Sequence, residues 1–419
     1  MCNNIYILGK GKIMNKTFVK LILTVFVCTL IITAFNATRV MAYTPCDLYD
    51  KVWTLINNKF VDQTNNAQDW TRWRHKYDDK IKTNEDAYVA IDTMLASLND
   101  PYTRFLDPKE FAEETNSIKG SLKGIGTQIA IKDGKLVVVA PIEDSPAEKA
   151  GIKSDDEILE INGESTKGIS VDKAADKIRG EKGTTVNLLI KRKGEEKPLT
   201  FSIVRDEIEI KSVSTKTPMD TVVPANIQYI RLSSFISQKA GKEIGEILVK
   251  SKDKEGFILD LRSNPGGLLT NAILISDMLL KGGVIVSTVD RDGYKETARA
   301  SHEIITKKPF VLLVNKGSAS ASEILSGALK DNCRATLVGT QTFGKGIVQE
   351  INKLPEGSGV NITIQRYLTP NGNDIHKKGI TPDVVIDLTD SDIKNKNDVQ
   401  LKKGIEILSQ KIENSKFTR

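Results

Sequence analysis

Histidine is scarce in this chain, with three among 419 residues; cysteine (four) and aromatic side chains (6%) are few as well. None of His75, His302 and His376 stands in a recognisable triad context, so histidine is not the base this sequence points to. Cys2, Cys28, Cys46 and Cys333 lack the paired spacing of a zinc or dithiol redox site, and no metal or organic cofactor is expected. The formal net charge of +6 includes five basic residues (Lys10, Lys12, Lys16, Lys20 and Arg39) in the first 42, which contain no acid. Set aside, they leave +1. No Lys/Arg stripe with interleaved aromatics occurs elsewhere, so no nucleic-acid role follows. Internal repeats are also missing.

The N-terminus predicts export. Lys16 and Lys20 precede an apolar stretch from Leu21 to Phe35, and Val40-Met41-Ala42 supplies the side chains a signal peptidase reads. Fifteen residues is short for a spanning helix, which needs about 20. The expectation is a periplasmic or otherwise extracytoplasmic protein cleaved after Ala42, with an uncleaved membrane anchor over 1–42 as the alternative; Met14 is a candidate start. The remaining 377 residues suffice for more than one domain.

What is present is a serine and a lysine at two strand ends. The apolar run Pro309 to Asn315 reads as a strand covered on both faces. Gly317-Ser318-Ala319-Ser320-Ala321-Ser322-Glu323 follows and opens a helix, placing Ser320 near free N–H groups that favour an oxyanion. Ala335 to Gly339 reads as the next strand, delivering Lys345 on the glycine-flanked turn Gly344-Lys345-Gly346. A right-handed crossover brings such strand ends together. A lysine made neutral by burial can take a serine's proton, and Gln349, four residues on, is placed to orient it. Taken alone, the serines also read as capping residues and the lysine as a loop charge.

The neighbouring motifs decide between these readings. Leu98-Asn99-Asp100-Pro101-Tyr102-Thr103-Arg104-Phe105-Leu106, Tyr229 to Phe235, Leu259-Asp260-Leu261-Arg262-Ser263-Asn264-Pro265-Gly266-Gly267, Gly317 to Ala328, Thr342 to Gln349, Leu368 to Gly372 and Lys378 to Asp383 follow in order. Over about residues 47–388 the chain resembles the C-terminal processing peptidases, or tail-specific proteases, which are serine endopeptidases with an inserted PDZ domain. The resemblance implies Ser320 as nucleophile, Lys345 as general base and Gln349 as the lysine's support. It implies oxyanion donors at the amide of Ala321 and that of Gly266 or Gly267. The implied fold is α/β and multidomain: a crotonase-like protease core with an inserted β-rich PDZ domain and a helical N-terminal region.

Short strand patterns from Gly120 to Val204, with Ser145-Pro146 opening a helix and Asp156 to Gly163 beyond it, resemble a circularly permuted PDZ domain. Its carboxylate loop falls on Lys123-Gly124-Ile125-Gly126-Thr127, and glycines there let backbone N–H groups cup an anion. Arg179 occupies the position of an arginine that couples a ligand-bound PDZ domain to the active site in some family members. Asp155 departs from the family's usual glycine. The expected segments are 1–42 leader, 43–117 helical region, 118–206 PDZ domain, 207–388 protease core and 389–419 tail. Stripes at Leu48, Val52, Leu55, Ile56 and at Ala87, Val89, Ile91, Met94, Leu95 read as a docking or dimerisation element rather than a catalytic one, though such stripes are usually core, and the tail reads as a short helix for subunit contact. Expected partners are protein or peptide substrates with accessible C-termini, an adaptor or activating lipoprotein, a membrane through the leader, and a second copy. The rival reading is a noncatalytic PDZ scaffold or chaperone.

Overall fold

The computed structural model describes residues 43–417 apart from 120, 133, 143, 144, 154, 210 and 211, so the leader lies outside the described residues. Its central sheet has the strand order Val213–Ser214, Ile227–Leu232, Gly256–Asp260, Phe310–Val314, Ala335–Gly339, Val384–Val385, parallel except at the first pair. Every residue of Gly256–Asp260 and Phe310–Val314 is buried, as the continuous apolar runs require. The two-residue period of a strand sends Phe310, Leu312 and Val314 to one face and Val311 and Leu313 to the other. Helices Ala240–Lys250, Leu269–Leu279 and Ala321–Asp331 cover the first face.

The second face is covered by the chain's own C-terminus. Helix Val399–Phe417 runs for 19 residues and packs Leu401, Leu408 and Ile412 against Ile258, Val311, Leu313 and Val338. This corrects the expectation of a short helix offered to another subunit: its apolar stripe closes the core sheet of the same chain. A buried charge cluster fixes it there. Arg262 (5% exposed) donates to both oxygens of Asp398 at 2.8 Å and to Asp260 at 2.6 Å, while Asp398 accepts the amide of Leu401 at 2.9 Å and so caps the helix. Asp398→Ala would leave a buried guanidinium half-paired, and is expected to destabilise the central-sheet domain by about 3–5 kcal/mol in denaturant unfolding.

The N-terminal helices Pro45–Lys59 and Asn84–Ala96 each begin at a threonine, Thr44 and Thr83, in a reciprocal capping box with Asp47 and Asp86. Their apolar faces meet Trp70, Trp73, Leu354, and Val360 and Ile362 of strand Gly359–Leu368 in a second sheet. They are therefore core, as such stripes usually are, in a cluster of their own against the second sheet. Ala87, Ile91, Met94 and Leu95 share the buried face, whereas Val89 falls off that spacing and is 68% exposed.

Residues between these parts form a sheet of order Thr127–Lys132, Lys135–Pro141, Glu157–Ile161, Thr185–Lys191, Leu199–Val204 with helix Val171–Ile178 beside it. A two-stranded ribbon, Ser121–Gly124 with Asp206–Glu209, ties this unit to the rest. Ser145 caps the short helix Pro146–Lys149 as expected. Asp155 adopts φ 62°, a left-handed conformation that aspartate tolerates, so the turn is kept without the glycine.

Candidate active site

Three loops leave the C-terminal ends of neighbouring parallel strands and converge on one cleft of about 680 Å³. Such strand ends are where open α/β sheets place ligands. Ser320, Ala321, Gly266, Gly267, Lys345 and Gln349 all line it.

Ser320 ends the turn from Phe310–Val314 into Ala321–Asp331 at φ 54°, ψ −114°. This is a strained conformation for a residue with a Cβ, of the kind that holds a nucleophile proud of a sheet. Its neighbours supply the constraint. Ser318 and Ser322 are fully buried and donate to the carbonyls of Leu261 (2.8 Å) and Asn264 (2.9 Å), and the Ala319 amide donates to Asn264 (3.0 Å). Of the three serines, two are structural and Ser320 alone lines the cleft.

A residue given no role by the sequence reading binds the serine and lysine turns together. The Glu323 carboxylate, 0% exposed, accepts from Ser320 N at 2.9 Å and Lys345 N at 2.8 Å through Oε2, and from Gly344 N at 2.7 Å and Thr342 Oγ1 at 2.6 Å through Oε1. Four donors on one acid fix the serine turn against the lysine turn. The signal available was its spacing, Ser320 to Glu323, which is that of a capping box.

Lys345 Nζ donates to Gln349 Oε1 at 2.7 Å, and Gln349 Nε2 donates to the Tyr102 carbonyl at 2.6 Å, which fixes the amide's orientation. The same amine lies 4.6 Å from the centre of the Tyr102 ring. Tyr102 was likewise given no role, although it stands in the quoted N-terminal motif; through it the N-terminal layer forms a wall of the cleft. Burial pushes the Lys345 pKa below the ordinary lysine value; Asp100 opposes this and Arg104 adds to it. No hydrogen bond joins Lys345 Nζ to Ser320 Oγ among the described residues; the two groups share the cleft.

The oxyanion alternatives separate here. The Gly266 amide donates to Asn264 Oδ1 at 2.9 Å and is engaged. The amides of Gly267 and Ala321 carry no hydrogen bond among the described residues. Gly267 must lack a side chain, since a Cβ would stand 2.3 Å from Ile236 N at φ 144°.

No histidine lines the cleft. His302 pairs with Asp277, His75 with Asp78, and His376 packs its backbone against Gly346. No group of metal-ligating side chains occurs among the described residues.

A second groove, of about 300 Å³, is lined by Gly124, Ile125, Gly126 and Thr127 on one side and by Val171, Ala175, Ile178 and Arg179 on the other. The amides of Ile125 and Gly126 make no hydrogen bond among the described residues. Gly126 lies so close to Ser145 that a Cβ would come within 2.4 Å of the serine's own. Arg179 Nη1 pairs at 3.1 Å with Glu113 of helix Pro108–Lys119, and Glu113 lines the Ser320 cleft. One arginine thus touches both sites' walls.

A sequence profile of peptidase family S41 matches residues 226–386, and a PDZ-domain profile matches 137–192. The chain is 42% identical over 365 residues to a carboxyl-terminal-processing protease of Synechocystis sp., covering 85% of each. It is 41% identical over 314 residues to carboxy-terminal processing protease CtpA of Bacillus subtilis, covering 74% of this chain and 66% of that one. Among solved structures, the photosystem II D1 C-terminal processing protease superposes with a TM-score of 0.56 at 32% identity, covering 86% of this chain and 98% of the other.

Proposed function

The chain belongs to the carboxyl-terminal processing proteases of peptidase family S41, serine endopeptidases with a PDZ domain, and from that premise we propose that Ser320 and Lys345 are its catalytic dyad. Neutral Lys345 takes the Ser320 proton as Oγ attacks the scissile carbonyl. The amides of Gly267 and Ala321 receive the oxyanion. The lysine then protonates the leaving amine, and later activates the water that releases the acyl group. Gln349, held by the Tyr102 carbonyl, keeps the amine in the cleft in either protonation state, because its Oε1 accepts from both. The observation that carries this reading is the pairing of a strained, cleft-facing serine with a half-buried lysine on turns fixed by one carboxylate.

Its substrates are proteins. The groove at Gly124 to Thr127 takes the substrate's terminal carboxylate and apolar tail, the tail adding as a strand beside Thr127–Lys132, and Arg179 reports occupancy to the cleft through Glu113. We place the enzyme outside the cytoplasm, reached through the leader; an adaptor, membrane retention and self-association belong to the same proposal. The test is cleavage of an unstructured protein ending in apolar residues, set against the same protein with a charged tail: preferential cutting of the apolar form supports the reading, and equal cutting removes tail recognition from it.

The dyad also sets a pH dependence. Only neutral Lys345 acts as base, so kcat/KM rises with pH through its pKa, and burial moves that limb below the ordinary lysine range. A rate profile on the alkaline side is expected to have its midpoint below about pH 10.4, the unperturbed value. An activity that falls across this range would remove the lysine as base.

A further inference from the structure

The walls of the Ser320 cleft differ in chemistry. Leu268, Leu269 and Ile324 are apolar, whereas helix Pro108–Lys119 presents Glu110, Glu113 and Glu114. With Lys345 set aside as the neutral base, Arg104 is the one cation among the described residues lining the cleft against these three acids, a formal charge of −2 for the lining, with Glu113 also paired from outside it by Arg179. A second observation is independent of that charge. Asn361 lines the same cleft, is 4% exposed, and donates Nδ2 to both oxygens of Glu114 at 3.0 and 3.2 Å, yet its Oδ1 has no hydrogen-bond partner among the described residues. Buried side-chain oxygens normally find a donor. An orphaned acceptor beside a carboxylate is therefore short of one.

Strand register says on which side of the reaction this place lies. Asn361 stands opposite Ile351, two residues along the strand from Gln349, which holds the Lys345 amine. The lysine protonates the leaving amine, so its side of the cleft receives the residues that follow the scissile bond. Resting on the proteolytic reading, we propose that Glu114 and Asn361, within the wider acidic wall of Glu110 and Glu113, form a subsite for a basic side chain carried by the first residues beyond the scissile bond. A lysine or arginine there donates to Glu114, and the enclosed Asn361 Oδ1 becomes a second acceptor when the Asn361 side chain turns toward the cleft. Arg104, on the outer side of Glu114 at 2.9 Å and 54% exposed, shares the carboxylate or swings into solvent.

The test uses three peptides with one apolar tail that differ only at the second residue after the cleaved bond: lysine, glutamine or glutamate. At low salt the lysine peptide is expected to exceed the glutamate peptide by about tenfold in kcat/KM, with glutamine between and the gap closing as salt screens the cleft. Glu114→Gln is expected to reduce the gap to about twofold. Glu110→Gln, at an exposed position, serves if the first variant fails to fold. Binding of the same peptides to Ser320→Ala, by fluorescence anisotropy, reads the order without chemistry. Equal affinities and equal rates for the three, or preference for glutamate, overturn the subsite. Binding in the expected order with no cleavage by the unmutated chain would leave the subsite standing and remove the proteolytic reading.

Discussion

Ser320→Ala and Lys345→Met are each expected to lower kcat by about four orders of magnitude or more, while an apolar-tailed substrate still binds. The two losses should be of similar size, and the double variant little worse than either, because the groups act as one unit: a serine without its base is a weak nucleophile, and a base without the serine has no proton to take. Methionine approximates the length and apolar body of lysine, so the packing beside Tyr102 is largely kept. A steady-state assay with a binding control separates this from misfolding. If the Lys345 variant retains a tenth of the activity, another group is the base.

The second large effect is expected at Glu323, which touches no substrate. Replacing it by glutamine sets an NH₂ donor against donors, since both carboxylate oxygens accept two hydrogen bonds each. One pair must break, either at Ser320 N and Lys345 N or at Gly344 N and Thr342 Oγ1. The serine and lysine turns then lose their common register, and displacements of about 1 Å cost about a hundredfold. Glu323→Gln should therefore lower kcat by about 10²–10³-fold with a smaller change in KM. Loss of KM alone would mean that the acid serves binding and not the alignment of the two turns.

The relation of sequence to structure is uneven, and the reasons are local. Phe310–Val314 was legible because a parallel strand buried on both faces is apolar throughout; Ala335–Gly339, with Thr336 and only its last three residues buried, was legible as a short apolar run beside it. The position of Ser320 between two other serines was not decidable from chemistry, since all three can cap a helix; only the buried bonds of Ser318 and Ser322 distinguish them. Likewise Gly266 and Gly267 are alike in sequence, and the choice between their amides turns on one side chain, Asn264. The tail and the N-terminal stripes were readable as amphipathic but not as to which surface they meet. Periodicity reports that a face is buried, and the partner depends on contacts distant in sequence, such as Arg262 with Asp398.

The central claim is that the acyl group passes through Ser320. The most direct measurement is peptide mass mapping of the chain after acid quench of its reaction with an activated peptide ester, a substrate whose acylation outpaces deacylation. The account predicts an added acyl mass on the peptide containing Ser320 in the unmutated chain and none there in Ser320→Ala. An adduct on another residue, or continued cleavage by Ser320→Ala, would contradict it.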